Sequence, residues 1–96
     1  MPRIRTIDLD GLQLAVAPMS YCETEKYVGE SKGMSPEEFT ARVFRIVADS
    51  LNRPDERDGG APQWDVARVK RELDRPSIEK IHAEVLAMSG LSSAAA

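Results

Sequence analysis

The sequence predicts an α+β fold, with an N-terminal β-hairpin followed by a small bundle of three to four helices. The first observation is a strict alternation of apolar and polar residues around the Asp-Gly pair at positions 10 and 11. The second is the spacing of apolar residues after position 20, which recur three and four residues apart. The third is a Ser-Pro-Glu-Glu step at 35–38, which is typical of a helix start.

The hairpin prediction rests on Asp10 and Gly11 as a two-residue turn. A type I′ turn needs positive φ at both central positions, which Asp-Gly provides. This register pairs Leu9 with Leu12 and gathers the aliphatic side chains of both strands on one face. That face consists of Ile7, Leu9, Leu12, Leu14 and Val16. Because a lone two-stranded ribbon is marginal in water, helices must cover this face.

The strongest helix is predicted from about residue 36 to 52. Ser35 is a natural N-cap, Pro36 suits the first helical position, and Glu38 completes a capping box with Ser35. The apolar stripe comprises Phe39, Val43, Ile46, Val47 and Leu51, widened by Phe44. Pro54 is expected to end this helix. A shorter, more polar helix is predicted before it, near residues 20–29, ending by Gly33.

Two further helices are predicted in the C-terminal half. Residues 52–63 are rich in turn formers and predict a flexible connection, which is followed by a short helix at about 65–73. Arg75 and Pro76 are expected to interrupt the chain before a last helix at 77–89. Gly90 suits the left-handed position after that helix, with Leu91 making the accompanying apolar contact. The helices at 36–52 and 77–89 carry the stripes expected to cover the hairpin.

Composition predicts one small domain at residues 1–91 and a disordered tail at 92–96. Leu, Ile, Val and Phe account for only 21 of the 96 residues, so the core is small. The net charge is −3 and no basic stripe is present, which disfavours nucleic-acid binding. No apolar run is long enough for a membrane span, and the N-terminus does not resemble a signal peptide. The single cysteine, Cys22, excludes an internal disulfide and favours a cytosolic location.

The sequence predicts no catalytic residue, cofactor site or metal site, and an enzyme is disfavoured. The single histidine, His82, cannot form a metal cluster and is interpreted as half-buried on the last helix. Cys22 has no base nearby in the sequence and is interpreted as a semi-buried structural thiol. The glycines at 59 and 60 lack a phosphate-binding pattern. The acidic residues at 55, 56 and 58 lack EF-hand spacing, so a calcium site there is disfavoured.

Three apolar residues are the candidate partner-binding residues: Phe44, Trp64 and Leu73. Each could equally belong to the core. Trp64 either forms a hydrophobic staple at the start of the third helix or anchors an interface, where tryptophan is enriched. The chain has more amphipathic faces than it can bury, and the hairpin has two edges open to strand addition. We therefore expect binding to an extended or helical segment of a longer chain, with self-association as a second interaction.

The order of these elements resembles a known family. The opening PRIRTIDLDGLQLAVAPMS resembles the start of many tail assembly chaperones of long-tailed bacteriophages. Those chains begin with a short strand, an acidic-Gly turn and a second strand ending in a V-x-P-L-T-like step, to which VAPMS at 16–20 is similar. The C-terminal ends of those chains are similar to AMSGL at 87–91. The resemblance spans about residues 3–91.

The resemblance implies a non-enzymatic role. Such chaperones bind the tape measure protein, a very long helical chain, keep it soluble and assist assembly of the tail tube around it. The tail-tube protein is a second partner that the resemblance implies. It also implies a location in the host cytoplasm and absence from the mature virion.

The sequence is also compatible with two other functions. A small virion component, such as a head–tail connector or tail-completion protein, would be present in purified particles. A bacterial antitoxin-like binding module would need a basic recognition helix, for which Arg68, Lys70 and Arg71 are the only candidates. Because Val66 and Val69 interrupt them and Glu72 follows, a solvated helix face is the simpler interpretation.

Overall fold

Two antiparallel strands are followed by four helices, which confirms the predicted α+β class. The computed structural model describes residues 4–57, 59 and 63–91. The elements are β1 (Arg5–Leu9), β2 (Leu12–Val16), α1 (Tyr21–Glu30), α2 (Pro36–Arg57), α3 (Val66–Glu72) and α4 (Arg75–Met88). The predicted tail at 92–96 lies outside the described residues.

The hairpin adopts the predicted register, with Leu9 opposite Leu12 and Ile7 opposite Leu14. Asp10 and Gly11 have φ values of 53° and 95°, as a type I′ turn requires. The apolar face is covered unevenly along its length. Ile7 is buried, whereas Leu12, beside the turn, is 49% exposed. The helices therefore cover the open end of the ribbon and leave the turn end in water.

Helix α1 lies close to its predicted position but buries no residue. Ser20 and Glu23 form a capping box that the sequence analysis did not identify. The prediction that Cys22 is semi-buried is wrong, since this side chain is exposed. An ion pair between Glu23 and Arg53 of α2 fastens the start of α1. Burial acts to raise the pKa of Glu23, but the hydrogen bond from the Ser20 N–H and the charge of Arg53 together lower it.

Helix α2 begins with the predicted capping box of Ser35 and Glu38. The prediction that Pro54 ends it is wrong, because the helix continues through Pro54 to Arg57. Proline has no N–H for the carbonyl four residues earlier, which is that of Ser50. The Ser50 carbonyl instead accepts the Ala17 N–H at 3.1 Å. The hydrogen bond lost inside the helix is thus replaced by one that ties the end of the hairpin to α2.

The connection between α2 and α3 is shorter than the predicted loop. The side chain of Asn52 holds its C-terminal end against α2. Its Oδ1 accepts the N–H groups of Gln63 and Trp64 at 3.0 and 2.7 Å, and its Nδ2 donates to the Trp64 carbonyl at 2.8 Å. Gly59 has a φ of 83°, which glycine adopts without strain. Residues 58 and 60–62 of the predicted loop lie outside the described residues.

Asp65 and Asp74 cap α3 and α4. Helix α4 starts two residues earlier than predicted, because Pro76 lies in its first turn, where a missing N–H costs nothing. At its other end, the Leu91 N–H donates to the Leu86 carbonyl at 2.8 Å and the Gly90 N–H to the Ala87 carbonyl at 3.2 Å. This is the hydrogen-bond pattern of a Schellman motif, and it confirms the predicted role of Gly90, whose φ is 83°.

One apolar core joins the hairpin to α2, α3 and α4. Its fully buried side chains include Val16, Val47, Val69, Ile81 and Val85. Polar contacts reinforce the packing of α4 on the hairpin: Arg5 pairs with Glu84 at 2.5 Å, and Lys80 donates to the Asp8 carbonyl at 3.0 Å. The predicted cover of the hairpin by the second and last helices is confirmed. Helix α3 completes the core through Val69 and Leu73.

A candidate binding groove between three helices

An apolar groove of about 730 Å³ lies between α2, α3 and α4, with Tyr27 of α1 at one end. Its position follows from the sequence, because the apolar stripe of α2 is wider than the core that it covers. The inner part of the stripe packs on the hairpin and on α4, while the outer part faces the groove. The apolar lining residues are Tyr27, Phe39, Val43, Phe44, Leu73, Ile78, Ala83 and Leu86.

Phe39 is the most exposed apolar side chain of the groove. It is 43% exposed, although it begins the stripe whose last members, Ile46, Val47 and Leu51, are buried. Its ring lies edge-on to the imidazole of His82, with the ring centres 6.3 Å apart. Leaving a phenylalanine ring this exposed forfeits stabilisation that burial would give. An exposed aromatic side chain beside an apolar groove is typical of a surface that binds a partner.

Charged side chains lie mainly at the end of the groove formed by α3 and the start of α4. Lys70 and Arg75 line this end, and Glu79 lies one turn further along α4. The Lys70 ammonium lies 4.9 Å from the centre of the Phe44 ring, a cation–π contact. None of these three charged groups forms a salt bridge with another described residue.

A buried arginine lies outside the groove, behind the Tyr27 and Phe39 rings, in a separate cavity between α1 and α2. Arg42 is only 3% exposed, and its guanidinium lies 3.8 Å from the centre of the Tyr27 ring and 5.3 Å from that of Phe39. Its Nη1 donates to the Tyr27 carbonyl at 3.1 Å. Its Nε and Nη2 are buried and have no hydrogen-bond partner among the described residues. Glu23, Glu30 and Asp49 line the same cavity, but no described carboxylate lies within salt-bridge distance of Arg42, so the cost of burying this cation is only partly offset.

His82 lies beside this arginine and is half-buried, as predicted. Its Nε2 has no hydrogen-bond partner among the described residues. Burial lowers the pKa of His82 below its ordinary value, and the Arg42 charge lowers it further. The imidazole is therefore neutral near pH 7 and acts as part of the groove wall.

The structure brings together two of the three predicted partner-binding residues. Phe44 and Leu73 both line the groove, Phe44 partly exposed and Leu73 buried at its base. Trp64 lies outside the groove. Its ring packs against the core and is covered by the Arg68 guanidinium at 4.0 Å from the ring centre. Trp64 occupies the position before the N-cap Asp65, where the staple interpretation places it.

The burial of Arg42 was not predicted from the sequence. The signal was present, because Arg42 is three residues after Phe39 and four before Ile46, which places it on the buried face of α2.

The described residues contain no group of three or more histidine, cysteine, aspartate or glutamate side chains that could hold a metal ion. Within the same part of the chain, no helix combines the length and the hydropathy of a membrane span. Comparison with known proteins found no family model, curated protein or solved structure that matches this chain.

Proposed function

We propose that this protein is a tail assembly chaperone of a long-tailed phage that binds the tape measure protein in the groove between α2, α3 and α4. The observation that carries the proposal is the open apolar groove with Phe39 and Phe44 at its surface. The resemblance of the opening and closing segments to such chaperones supplies the identity of the client. The protein acts in the host cytoplasm by binding, without catalysis, and is absent from the mature virion.

The shape of the groove favours a helical client segment. An amphipathic helix binds such a groove by inserting side chains at positions i, i+3 or i+4, and i+7. Phe39, Val43 and Phe44 form one wall, on α2, and Ile78 and α4 residues beyond it form the other. A helical tape measure chain presents many apolar stripes of this kind.

The small groove also explains how such a chaperone covers a very long client. A single contact of this size is weak, since binding carries an entropic cost that a short apolar interface only partly offsets. Several copies bound along one client, helped by self-association, give a higher overall affinity. The same arrangement places the copies where tail-tube subunits later polymerise around the client.

Co-expression with the tape measure protein tests this function. We expect the client to become soluble and to co-purify with the chaperone. Phe39→Ser should abolish or strongly reduce both effects, because it removes the most accessible apolar anchor. Tyr21→Ser is the matched control: Tyr21 is also an aromatic residue, it is 78% exposed on α1, and it lies outside the groove.

Two results would contradict the proposal. One is a client that remains equally insoluble with and without the chaperone. The other is detection of the protein at stoichiometric levels in purified phage particles by mass spectrometry. The second result would favour a virion structural component instead.

A further inference from the structure

The two edges of the hairpin differ in how far other elements occupy them. Leu9 and Leu12 close the type I′ turn as a hydrogen-bonded pair. Because hydrogen-bonded and non-hydrogen-bonded pairs alternate along an antiparallel ladder, every second residue directs its backbone N–H and C=O out of the ribbon. These residues are Thr6 and Asp8 on β1 and Gln13 and Ala15 on β2.

The β1 edge is partly occupied by side chains of α4. Lys80 donates from Nζ to the outward carbonyl of Asp8 at 3.0 Å, and Glu84 pairs with Arg5 at the start of the strand. Charged side chains along an edge hinder the addition of another strand. The sequence predicted two open edges, and α4 obstructs this one.

The β2 edge is open from Leu12 to Ala15. The outward backbone groups of Gln13 and Ala15 have no hydrogen-bond partner among the described residues, and both residues are exposed. The edge closes only at Ala17, whose N–H donates to the Ser50 carbonyl of α2. Strand β2 reads LQLAV and pairs without a bulge, so it lacks the charges, prolines and bulges that protect exposed edges.

We propose that this edge binds the β2 strand of a second copy of the chain, antiparallel, about a two-fold axis beside Leu14. Gln13 and Ala15 of each copy then exchange backbone hydrogen bonds with Ala15 and Gln13 of the other copy, and the two hairpins form one four-stranded sheet. None of the described residues that line the groove belongs to the hairpin. The inference is therefore independent of what the groove binds.

Three features favour a second copy as the occupant. Strand β2 carries no charge, so two copies pair without like charges opposite each other. The open stretch also has the right length, because the second copy turns away at its own Gly11, opposite Ala17, where α2 closes the edge. This register places Leu12, which is 49% exposed, opposite the buried Val16 of the second copy and removes it from water.

A helical client does not fit this edge. The backbone groups of a helix are already paired within the helix, so a helix cannot continue a β-ladder. The interface made by one short strand is small, and we expect a weak dimer that forms as the protein concentration rises. Such a dimer joins two grooves and raises the overall affinity for a client that presents several binding segments.

Sedimentation velocity of the full chain without client, over a wide range of concentration, tests the proposal. We expect a monomer at low concentration and a dimer at high concentration. Ala15→Pro should weaken dimerisation by about tenfold or more, because it removes an outward N–H that the hairpin itself does not use. Thr6→Pro is the matched control, since Thr6 lies opposite Ala15 and its N–H points out of the β1 edge.

Hydrogen exchange keeps the test valid if Ala15→Pro does not fold, as judged by circular dichroism. In the wild-type protein, the amides of Gln13 and Ala15 should become protected as the concentration rises. The amides of Thr6 and Asp8, in the same hairpin, should exchange at a rate that does not depend on concentration.

Four results would overturn the proposal. They are a monomer at every concentration, equal association of a folded Ala15→Pro and the wild-type protein, protection at Gln13 and Ala15 only when a client is added, and loss of association in Phe39→Ser. The third result assigns the edge to a client strand, and the fourth places the interface in the groove. A monomer that still keeps its client soluble would overturn the dimer alone and leave the proposed function standing.

Discussion

At the residue scale, the side chain of Asn52 fixes the end of the connection between α2 and α3 by bonding its backbone. Its amide makes three hydrogen bonds with the backbone of Gln63 and Trp64. Asn52 itself is buried, at 5% exposed, whereas the backbone groups that it bonds are only partly buried. The amide therefore holds the start of α3 against α2, which in turn sets the position of Lys70 and Leu73 in the groove.

Asn52→Ala should lower the free energy of unfolding by about 1–2 kcal/mol, because it removes the hydrogen-bond partner of two backbone N–H groups that are only partly accessible to water. Urea denaturation at pH 7 measures this difference. Gln13→Ala, in the exposed part of the hairpin, is the control and should change stability by less than about 0.5 kcal/mol. A loss below about 0.5 kcal/mol for Asn52→Ala would show that the connection is held by other contacts.

His82 makes stability depend on pH. Burial and Arg42 lower its pKa in the folded protein, so the unfolded chain takes up a proton first as the pH falls. The neutral imidazole contributes fully to the free energy of unfolding above the unfolded pKa of about 6.5. This contribution is lost as the pH falls below that value. The loss cannot exceed about 1.4 kcal/mol for each pH unit.

We therefore expect the free energy of unfolding to be lower at pH 5.5 than at pH 7.5, and this decrease to be smaller in His82→Gln. Chemical denaturation at the two pH values checks it. Glu23, whose pKa is lowered, loses its contribution only at more acidic pH, and it does so in both proteins. An equal decrease in the wild-type protein and the variant would contradict the assignment to His82.

At the scale of elements, Pro54 is the clearest case in which local sequence and tertiary structure disagree. Proline inside a helix costs about 3 kcal/mol or more when the freed carbonyl is left unpaired. Here the Ser50 carbonyl accepts the Ala17 N–H, and the helix continues. Sequence reasoning could not predict this, because the replacement donor is 33 residues away and follows a strand.

Pro54→Ala should consequently stabilise the protein by less than about 1 kcal/mol, since the carbonyl that the new N–H would reach already has a partner. Thermal or urea denaturation measures the change. A gain approaching 3 kcal/mol would show that the proline strains α2 and that the Ala17 contact does not compensate for it.

Other elements were predictable because their signals are local. The turn at Asp10 and Gly11, the capping box at Ser35 and Glu38, and the Schellman motif at Gly90 each depend on residues within a few positions of one another. All three are present as predicted. Helix α1 was located correctly, but the exposure of Cys22 was missed because burial depends on what packs against a helix.

At the scale of the molecule, the groove exists because two different sides of α2 carry apolar residues. One side of this helix completes the small core, and the other side leaves Phe39 and Phe44 on the wall of an open cavity. Sequence reasoning identified Phe44 and Leu73 as candidates from their apolar character. It could not separate them from Trp64, because only the packing of three helices shows which residues share a surface.

Contacts between α1 and α2 explain why the fold tolerates the buried charge of Arg42. Its cost is partly offset by the two aromatic rings and the Tyr27 carbonyl.

The central claim is that the client lies in the groove, and site-specific crosslinking tests it most directly. A photoreactive phenylalanine analogue is introduced in place of Phe39 or, as the control, of exposed Tyr21, and each variant is irradiated during co-expression with the tape measure protein. We predict a crosslinked product from position 39 and none from position 21. A soluble client that crosslinks from position 21 alone, or from neither position, would contradict the claim.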